Sequence, residues 1–527
     1  MLGPKELHSR PRGGQGCAWC FARIQVNRDQ QFTVTRCLTT VLLVVCFAEH
    51  DRAAGATATR QKTETFDRDP QWDGKNNRPG PIQPPVVWQD FGYSPTHHAG
   101  KARGEIGGRV SQSLRPAWYG KVVPTATFDQ PLSVSGNLSV LEAQSIMGWH
   151  TQGNLYVGWF NADEHDPIWR PRNFVGFRLQ SFNEPDGALV ELTYGTRDWQ
   201  AGGMFVNAAG GGQQRNVREL ASSALLRIPP DGSKHHWSVR YDPAAANGAG
   251  EILFTFDGAE TRLSLRPEHR KAGASFNRFG IFPPRIPGRH IVAYFDDIII
   301  NEQMENFDSD PQWEGIGNRE RYPDPAQYGS NDFGFSQTSH AGGKAGELGG
   351  RFFSCNPDED PFKAYYGDRV GRLSFEHRLN ARGKFVAKEF STDSSFALGW
   401  FNSRKQGWPL ENFVGVYFDS LSSEGRIVAP MYGTSQGSKR QEGEYLIFQP
   451  GKRYDWTLDY DPAAGDGRGA ITFKLAGSAV TLPLKDGDKA KGAVLDRFGV
   501  FNLQWANSKW CDAYLDNLTY TVSLDAP

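Results

Sequence analysis

One stretch of this chain occurs twice, and that repetition constrains the fold more than any other feature. Residues 90–110 read DFGYSPTHHAGKARGEIGGRV, and residues 332–352 read DFGFSQTSHAGGKAGELGGRF. The match keeps Phe, Ser, Thr, His, Glu and Arg in register, so compositional bias does not account for it. It continues on both sides. ETFDRDPQWDGKNNR (64–78) returns as ENFDSDPQWEGIGNR (305–319), VGWFNA (157–162) as LGWFNS (398–403), and NFVGF (173–177) as NFVGV (412–416). YDPAAANGAGEILFTFDG (241–258) returns as YDPAAGDGRGAITFKLAG (460–477), RFGIF (278–282) as RFGVF (497–501), and AYFDDIII (293–300) as AYLDNLTY (513–520). The order is collinear, so each copy is a whole domain. The expected division is an N-terminal extension over 1–62, a first repeat over 63–302 and a second over 303–527.

Within a copy the signals are those of short strands. Leu155–Phe160, Phe174–Leu179, Leu189–Tyr194, His236–Tyr241, Glu251–Phe256 and Ile291–Ile300 are aromatic or β-branched and bounded by Gly, Pro, Asn or Asp. Phe254-Thr-Phe256-Asp257-Gly258 before Thr261–Leu265 reads as a hairpin turning at Asp-Gly. No long amphipathic helix interrupts them. The totals of 59 Gly and 34 Phe beside only 5 Met suit tight turns and pleated strands rather than helical bundles. The expected fold class is all-β, as two tandem jelly-roll β-sandwich domains of about a dozen strands each. The Gly-rich segment Ala201–Arg218 has no counterpart in the second copy and is expected to be a surface loop.

Lys+Arg number 58 against 59 Asp+Glu, a balance without the basic footprint of a nucleic-acid binder. Residues 38–48 form an apolar run after a basic stretch and before small residues, the pattern of a secretory signal. The run is shorter than the roughly 20 residues of a membrane span. A secreted, periplasmic or cell-surface protein is the expectation. Of the six cysteines only Cys355 and Cys511 lie in a repeat, and their aligned positions Ser113 and Ile291 both lack sulfur. Joint presence and absence is the mark of a disulfide, which export permits; two inert buried thiols are the alternative.

The run of strands W-S-V-R-Y-D-P, G-E-I-L-F-T-F-D-G, R-F-G-I-F and A-Y-F-D-D-I-I-I resembles the concanavalin A-like lectin/glucanase superfamily, and within it the laminin-G-like and carbohydrate-binding jelly rolls. The resemblance covers residues 63–524 and lies in strand order and turns. It implies lectins, sugar-binding modules, hydrolases or lyases as relatives, among which fold does not choose. It also implies a structural calcium ion between the closing strand and the domain start, at Asp67 and Asp297 in the first copy (Asp296 also available) and at Asp308 and Asp516 in the second. The E-x-D-x-x-E string of the laminarinase-type members is absent, and so is the Arg, Gln-x-His and Tyr set of the alginate-lyase type.

Both copies carry His98/His340 and Glu105/Glu347, the pairs an enzyme would use as acid and base. In a Gly-rich segment the same groups serve equally to satisfy loop backbone. Asp163-Glu164-His165-Asp166 faces Ser403-Arg-Lys-Gln406 in the second copy, so chemistry there would belong to one copy alone. For a sugar the candidate platform is Trp169 with Asn161 and Asn173, and Trp408 with Asn402 and Asn412, because flat indoles stack on pyranose faces and amides bond hydroxyls. Trp159 and Trp400 read as core, and Trp72 and Trp313 as packing against the closing strand. The reading that results is a tandem protein binding a polysaccharide, without catalysis of its own. A polysaccharide hydrolase or lyase and an adhesive surface protein are the alternatives.

Overall fold

The computed structural model describes residues 58–78, 86–144, 152–164, 170–181, 187–214, 224–286, 288–305, 307–324, 331–354, 363–405, 410–421, 423–440, 444–503 and 509–526. The signal-like segment lies outside them, as do Trp169, Trp408 and Cys355. Antiparallel strands dominate, and the longest helix among the described residues is Pro267–Ala272.

Four sheets form two sandwiches, each around its own apolar core. In each sandwich one sheet, here termed the back sheet, contains the closing strand, His290–Ile300 or Trp510–Ser523. The other, the front sheet, contains the Gly-Trp-Phe strand, Asn154–Phe160 or Ser395–Phe401. Back-sheet strands alternate. In Lys234–Asp242 the side chains of Trp237, Val239 and Tyr241 turn into the core while their neighbours face out. The central front-sheet strands are buried on both faces, as in Phe174–Ser181, and so read as continuous apolar runs. The Gly-rich segment forms the strands Ala201–Val206 and Gly212–Gln214, where a surface loop was expected. Their backbone groups extend the front sheet beyond Ala188–Gly195.

The repeats in sequence and the sandwiches in space do not coincide. Thr59–Glu64, running from the end of the N-terminal extension into the first repeat, pairs with the closing strand of the second, from Thr59↔Ser523 to Glu64↔Leu518. Asp73–Lys75 pairs with Tyr365–Leu373 of the second front sheet. Reciprocally, Gln303–Glu305, Glu314–Ile316 and Arg319–Pro323 pair with strands of the first sandwich. The first sandwich therefore spans residues 86–323, and the second spans 331–526 completed by 58–78. This corrects the expected boundaries of 63–302 and 303–527. The cause is the length of the closing strand. Glu347–Phe353 covers only Trp510–Leu515 along one edge, and the remaining edge needs another partner. In the first copy the chain supplies that partner at once, folding back through Asn301 and Glu302 at φ 44° and 69° to set Glu305 opposite Ile298. In the second copy the N-terminal segment fills the equivalent place.

The exchanged tryptophans anchor the arrangement. Trp72 packs against Phe66, Tyr366 and Tyr520, with ring centroids 5.3, 5.7 and 5.9 Å away. Trp313 packs against Tyr119 and Phe307 at 5.7 and 5.5 Å. Trp72 reaches the closing strand at Tyr520, as expected, and each of the two tryptophans docks in the core of the copy other than its own. Deleting residues 58–64 should raise amide exchange along Leu518–Ser523 by orders of magnitude while Ile298–Ile300 stays protected. Equal protection of both segments would contradict the exchange.

Candidate functional site

The doubled stretch folds into a loop closed by its own glutamate. Glu105 Oε1 accepts from the Thr96 hydroxyl at 2.5 Å and the His98 backbone N–H at 2.9 Å, and Oε2 from Ala99 N–H at 2.7 Å. Glu347 repeats this with Thr338, His340 and Ala341 at 2.6, 2.8 and 2.7 Å. His98 and His340 lie on Tyr294 and Tyr514, ring centroids 4.5 Å apart in both copies. Both carboxylate oxygens are thus committed to backbone and hydroxyl donors. The His98/Glu105 and His340/Glu347 pairs shape a loop, and the acid/base role weighed for them finds no support in this geometry.

The four asparagines expected to face a sugar are likewise committed. Asn161 Oδ1 accepts the N–H groups of Asp163 and Glu164, each at 3.0 Å. Asn173, at φ 49°, accepts the N–H of Ser275 at 3.0 Å. Asn402 bonds Arg404 N–H and the Val494 carbonyl, both at 3.0 Å, and Asn412, at φ 53°, accepts Val494 N–H at 2.9 Å. Asparagine tolerates the left-handed backbone and mimics a turn with its side chain. These residues fix the turns around the Gly-Trp-Phe-Asn and Asn-Phe-Val-Gly strands. Trp159 and Trp400 are core, both fully buried.

The chemistry that the sequence reading missed lies across the front sheet. One ladder row of the first sandwich runs Phe282, Tyr156, Arg178, Glu191, Phe205, each opposite the next. The matching row of the second runs Tyr365, Phe501, Ala397, Tyr417, Ala429. Arg178 and Glu191 are bonded across the strands, and Arg170 Nη2 donates to the other Glu191 oxygen at 2.9 Å. Arg178 also donates to Gln180 at 2.6 Å, and Gln180 to Gln152. Gln152 Nε2 and Asn154 Oδ1, at the end of this network, are buried without a hydrogen-bond partner. Burial alone would lower the Arg170 pKa, but Glu191 and, across the junction of the sandwiches, Asp393 outweigh it and hold the charge. Comparing the copies could have found this site, since Phe-Arg-Leu-Gln (177–180) stands against Val-Tyr-Phe-Asp (416–419), and Glu191 against Ala429.

Beside that row runs one of glycines, Gly120, Gly280, Gly158 and Gly176, repeated as Gly367, Gly499, Gly399 and Gly415. A Cβ on Gly176 would come within 2.1 Å of the Val157 carbonyl oxygen and 2.9 Å of the Phe174 ring. The strands approach closely there, and phenylalanine rings lie over the bare backbone. Phe160 and Phe174 join Trp118, Tyr156 and Phe282 in an aromatic cluster on the face opposite the core. This explains why Gly-Trp-Phe and Phe-Val-Gly recur.

The closing strands carry the acidic groups. Burial first, then neighbouring carboxylates, push Asp296 and Asp516 up to about 6. The neighbours are exchanged too: Asp308 acts on Asp296, and Asp67 on Asp516. The expected pairings of Asp67 with Asp297 and of Asp308 with Asp516 are therefore crossed. Asp297 instead accepts from Asn137 Nδ2 at 2.8 Å, and Asp67 from the Thr65 hydroxyl at 2.7 Å. No group of three or more His, Cys, Asp or Glu assembles as a metal-holding set among the described residues. Cys511 is a buried free thiol whose expected partner, Cys355, lies outside the described residues.

A carboxyl raised in the folded state binds its proton more tightly than in the unfolded chain. The two aspartates therefore favour folding below about pH 4, and that contribution is lost as pH rises through about 6. Asp296→Asn with Asp516→Asn should flatten this part of the stability profile and stabilise the protein at pH 7, by at most about 3 kcal/mol per site. Urea unfolding between pH 4 and 7 measures it. A profile unchanged by the substitutions would refute the assignment.

No family model and no curated protein matches this chain. Solved structures do, at low similarity. An alginate lyase, Aly36B, is 11% identical with a TM-score of 0.24, over 36% of this chain and 86% of that one. Peanut lectin is 13% identical with a TM-score of 0.22, over 36% and 88%. The Emp46p carbohydrate recognition domain is 9% identical with a TM-score of 0.22, over 36% and 87%.

Proposed function

We propose that the protein is a secreted, concanavalin A-like carbohydrate-binding protein whose glycan site is the front sheet of the first sandwich. The observation that carries this reading is the row Phe282, Tyr156, Arg178, Glu191, where buried aromatic side chains meet a bonded ionic pair beside two buried amide groups that have no partner, a set the second copy folds without. Aromatic rings take the C–H faces of sugars, while arginine and carboxylate bond adjacent hydroxyls. The second sandwich has Ala397, Tyr417 and Ala429 in these places, so one molecule binds one glycan segment through this face. No helix among the described residues is long and apolar enough to cross a membrane.

The test uses the protein's own alternative. Tyr156→Ala, Arg178→Tyr and Glu191→Ala together install the row of the second copy, which that copy's front sheet accommodates. Binding to a panel of polysaccharides should fall at least about tenfold, with the far-ultraviolet spectrum unchanged. Retained binding in the folded variant would place the glycan elsewhere, and released reducing or unsaturated ends in the wild-type tubes would replace binding by catalysis.

Calcium belongs to the same proposal. Asp296 with Asp308, and Asp516 with Asp67, concentrate negative charge where the exchanged segment meets the closing strand. With backbone carbonyls and water completing six to eight oxygens, these carboxylates would hold the ion, which would neutralise them and fasten the segment. Calcium at millimolar concentration should raise the melting temperature at pH 7 in the wild type. Asp296→Asn with Asp516→Asn should abolish that rise; a rise that survives the double substitution would exclude these sites.

A further inference from the structure

The back sheet of the second sandwich carries a groove of about 540 Å³ that has no counterpart in charge on the first. Arg382, Lys384 and Lys474 line it, against the single carboxylate of Asp455. Lys384 is paired with Asp455 at 3.0 Å. Arg382 and Lys474 form no ion pair among the described residues, and both side chains are exposed. Their spacing is set by the ladder. Arg382 stands opposite Thr457, and Thr457 opposite Lys474, so the cations are two strand spacings, about 10 Å, apart with a hydroxyl between them.

The same row continues through Thr519 to Thr63 on the exchanged N-terminal strand, where the two hydroxyls meet at 3.2 Å. It thus presents hydroxyl, hydroxyl, guanidinium, hydroxyl and ammonium across five strands, about 19 Å. In the first sandwich the aligned row reads Ile299, Ser135, Ser238 and Thr255, with no charge. Beneath the groove, Gly383 leaves the Trp456 ring within 3.1 Å of where a Cβ would stand. The indole N–H of this residue is buried without an acceptor. A cation pair and a hydroxyl row on a groove make an oxyanion site on a polar surface.

We propose that this groove binds an anionic polysaccharide, with sulfate or carboxylate groups of successive sugars at Arg382 and Lys474 and sugar hydroxyls along the threonines. Two cations held by separate strands recognise a repeating charge better than a single small anion. The hydroxyls between them match a polyol rather than an apolar partner. Nucleic acid fits less well, because no exposed aromatic side chain lines the groove to stack a base. The site is independent of the front-sheet reading and lies on the other sheet of the other sandwich.

The experiment compares binding of the full chain to heparin, polygalacturonate, uncharged dextran and duplex DNA at low and at high salt. Heparin or polygalacturonate should bind at low salt and weaken steeply as salt rises, and their order tells sulfate from carboxylate. Arg382→Ser with Lys474→Thr installs the residues of the first sandwich at two exposed positions. It should cost about tenfold or more in affinity for the acidic polymer and leave the melting temperature unchanged. The front-sheet triple variant should leave this binding intact, so failure of one proposal is separable from failure of the other. Unchanged affinity in the double variant, DNA binding as tight as the polysaccharides, or no retention of any acidic polymer at low salt would each overturn the inference.

Discussion

The closing strand of each sandwich is longer than the neighbour the repeat provides, and the rest of the architecture follows from that unmet edge. An open edge within a sheet leaves unpaired N–H and C=O groups that must be satisfied or covered. The first copy meets the demand by turning straight back through Asn301 and Glu302. In the second copy Thr59–Glu64 pairs with that edge instead. Phe66 and Trp72 bring their apolar area with them into the second core. The two domains are thereby fastened at a point where their sequence boundaries suggested independence.

The repeat was legible in the sequence and the exchange was not, for a physical reason. Collinear matches such as Gly-Trp-Phe-Asn and Asn-Phe-Val-Gly report the local requirements of one strand and its turn, and those requirements are the same whichever copy a segment docks on. Glu64 and Glu305 occupy equivalent ladder positions, opposite Leu518 and Ile298, so nothing in either residue records which closing strand it will meet. Alternating strands such as Trp237-Ser-Val-Arg-Tyr241 were readable because one face is solvated. Asn161, Asn173, Asn402 and Asn412 recur beside aromatic strands. Their recurrence reflects turns at positive φ, which asparagine tolerates and which every copy of the fold needs.

The front-sheet row was missed for the opposite reason. Arg178, Glu191 and Tyr156 differ between the copies, and a search for shared residues passes over them. Shared residues maintain the sandwich: Glu105 and Glu347 close the same loop, and the glycine rows allow the same close approach. An arginine and a glutamate buried side by side are costly to desolvate, and a sheet that folds with Tyr417 and Ala429 in their place has no structural need of them. A buried ionic pair that the fold can do without is better explained by what it does than by what it supports.

The same argument extends to the second sandwich, with the faces reversed. Its front row is apolar where the first is ionic, and its back row is cationic where the first is neutral. Each copy has kept the shared framework and changed a different face. The exchange of N-terminal segments joins the two, since Thr63 of the borrowed strand extends the hydroxyl row that Arg382 and Lys474 complete. Across the junction, Trp199 of the first copy lies between Arg172 of its own sandwich and Arg426 of the other, 4.5 and 5.4 Å from the ring. Arg285 and Glu389 pair at 3.1 Å nearby. The two divergent faces thus sit on a body whose halves are stapled by backbone pairing at one place and by cation–aromatic contact at another, and a polymer bound to one face as proposed would stay at a fixed offset from the other.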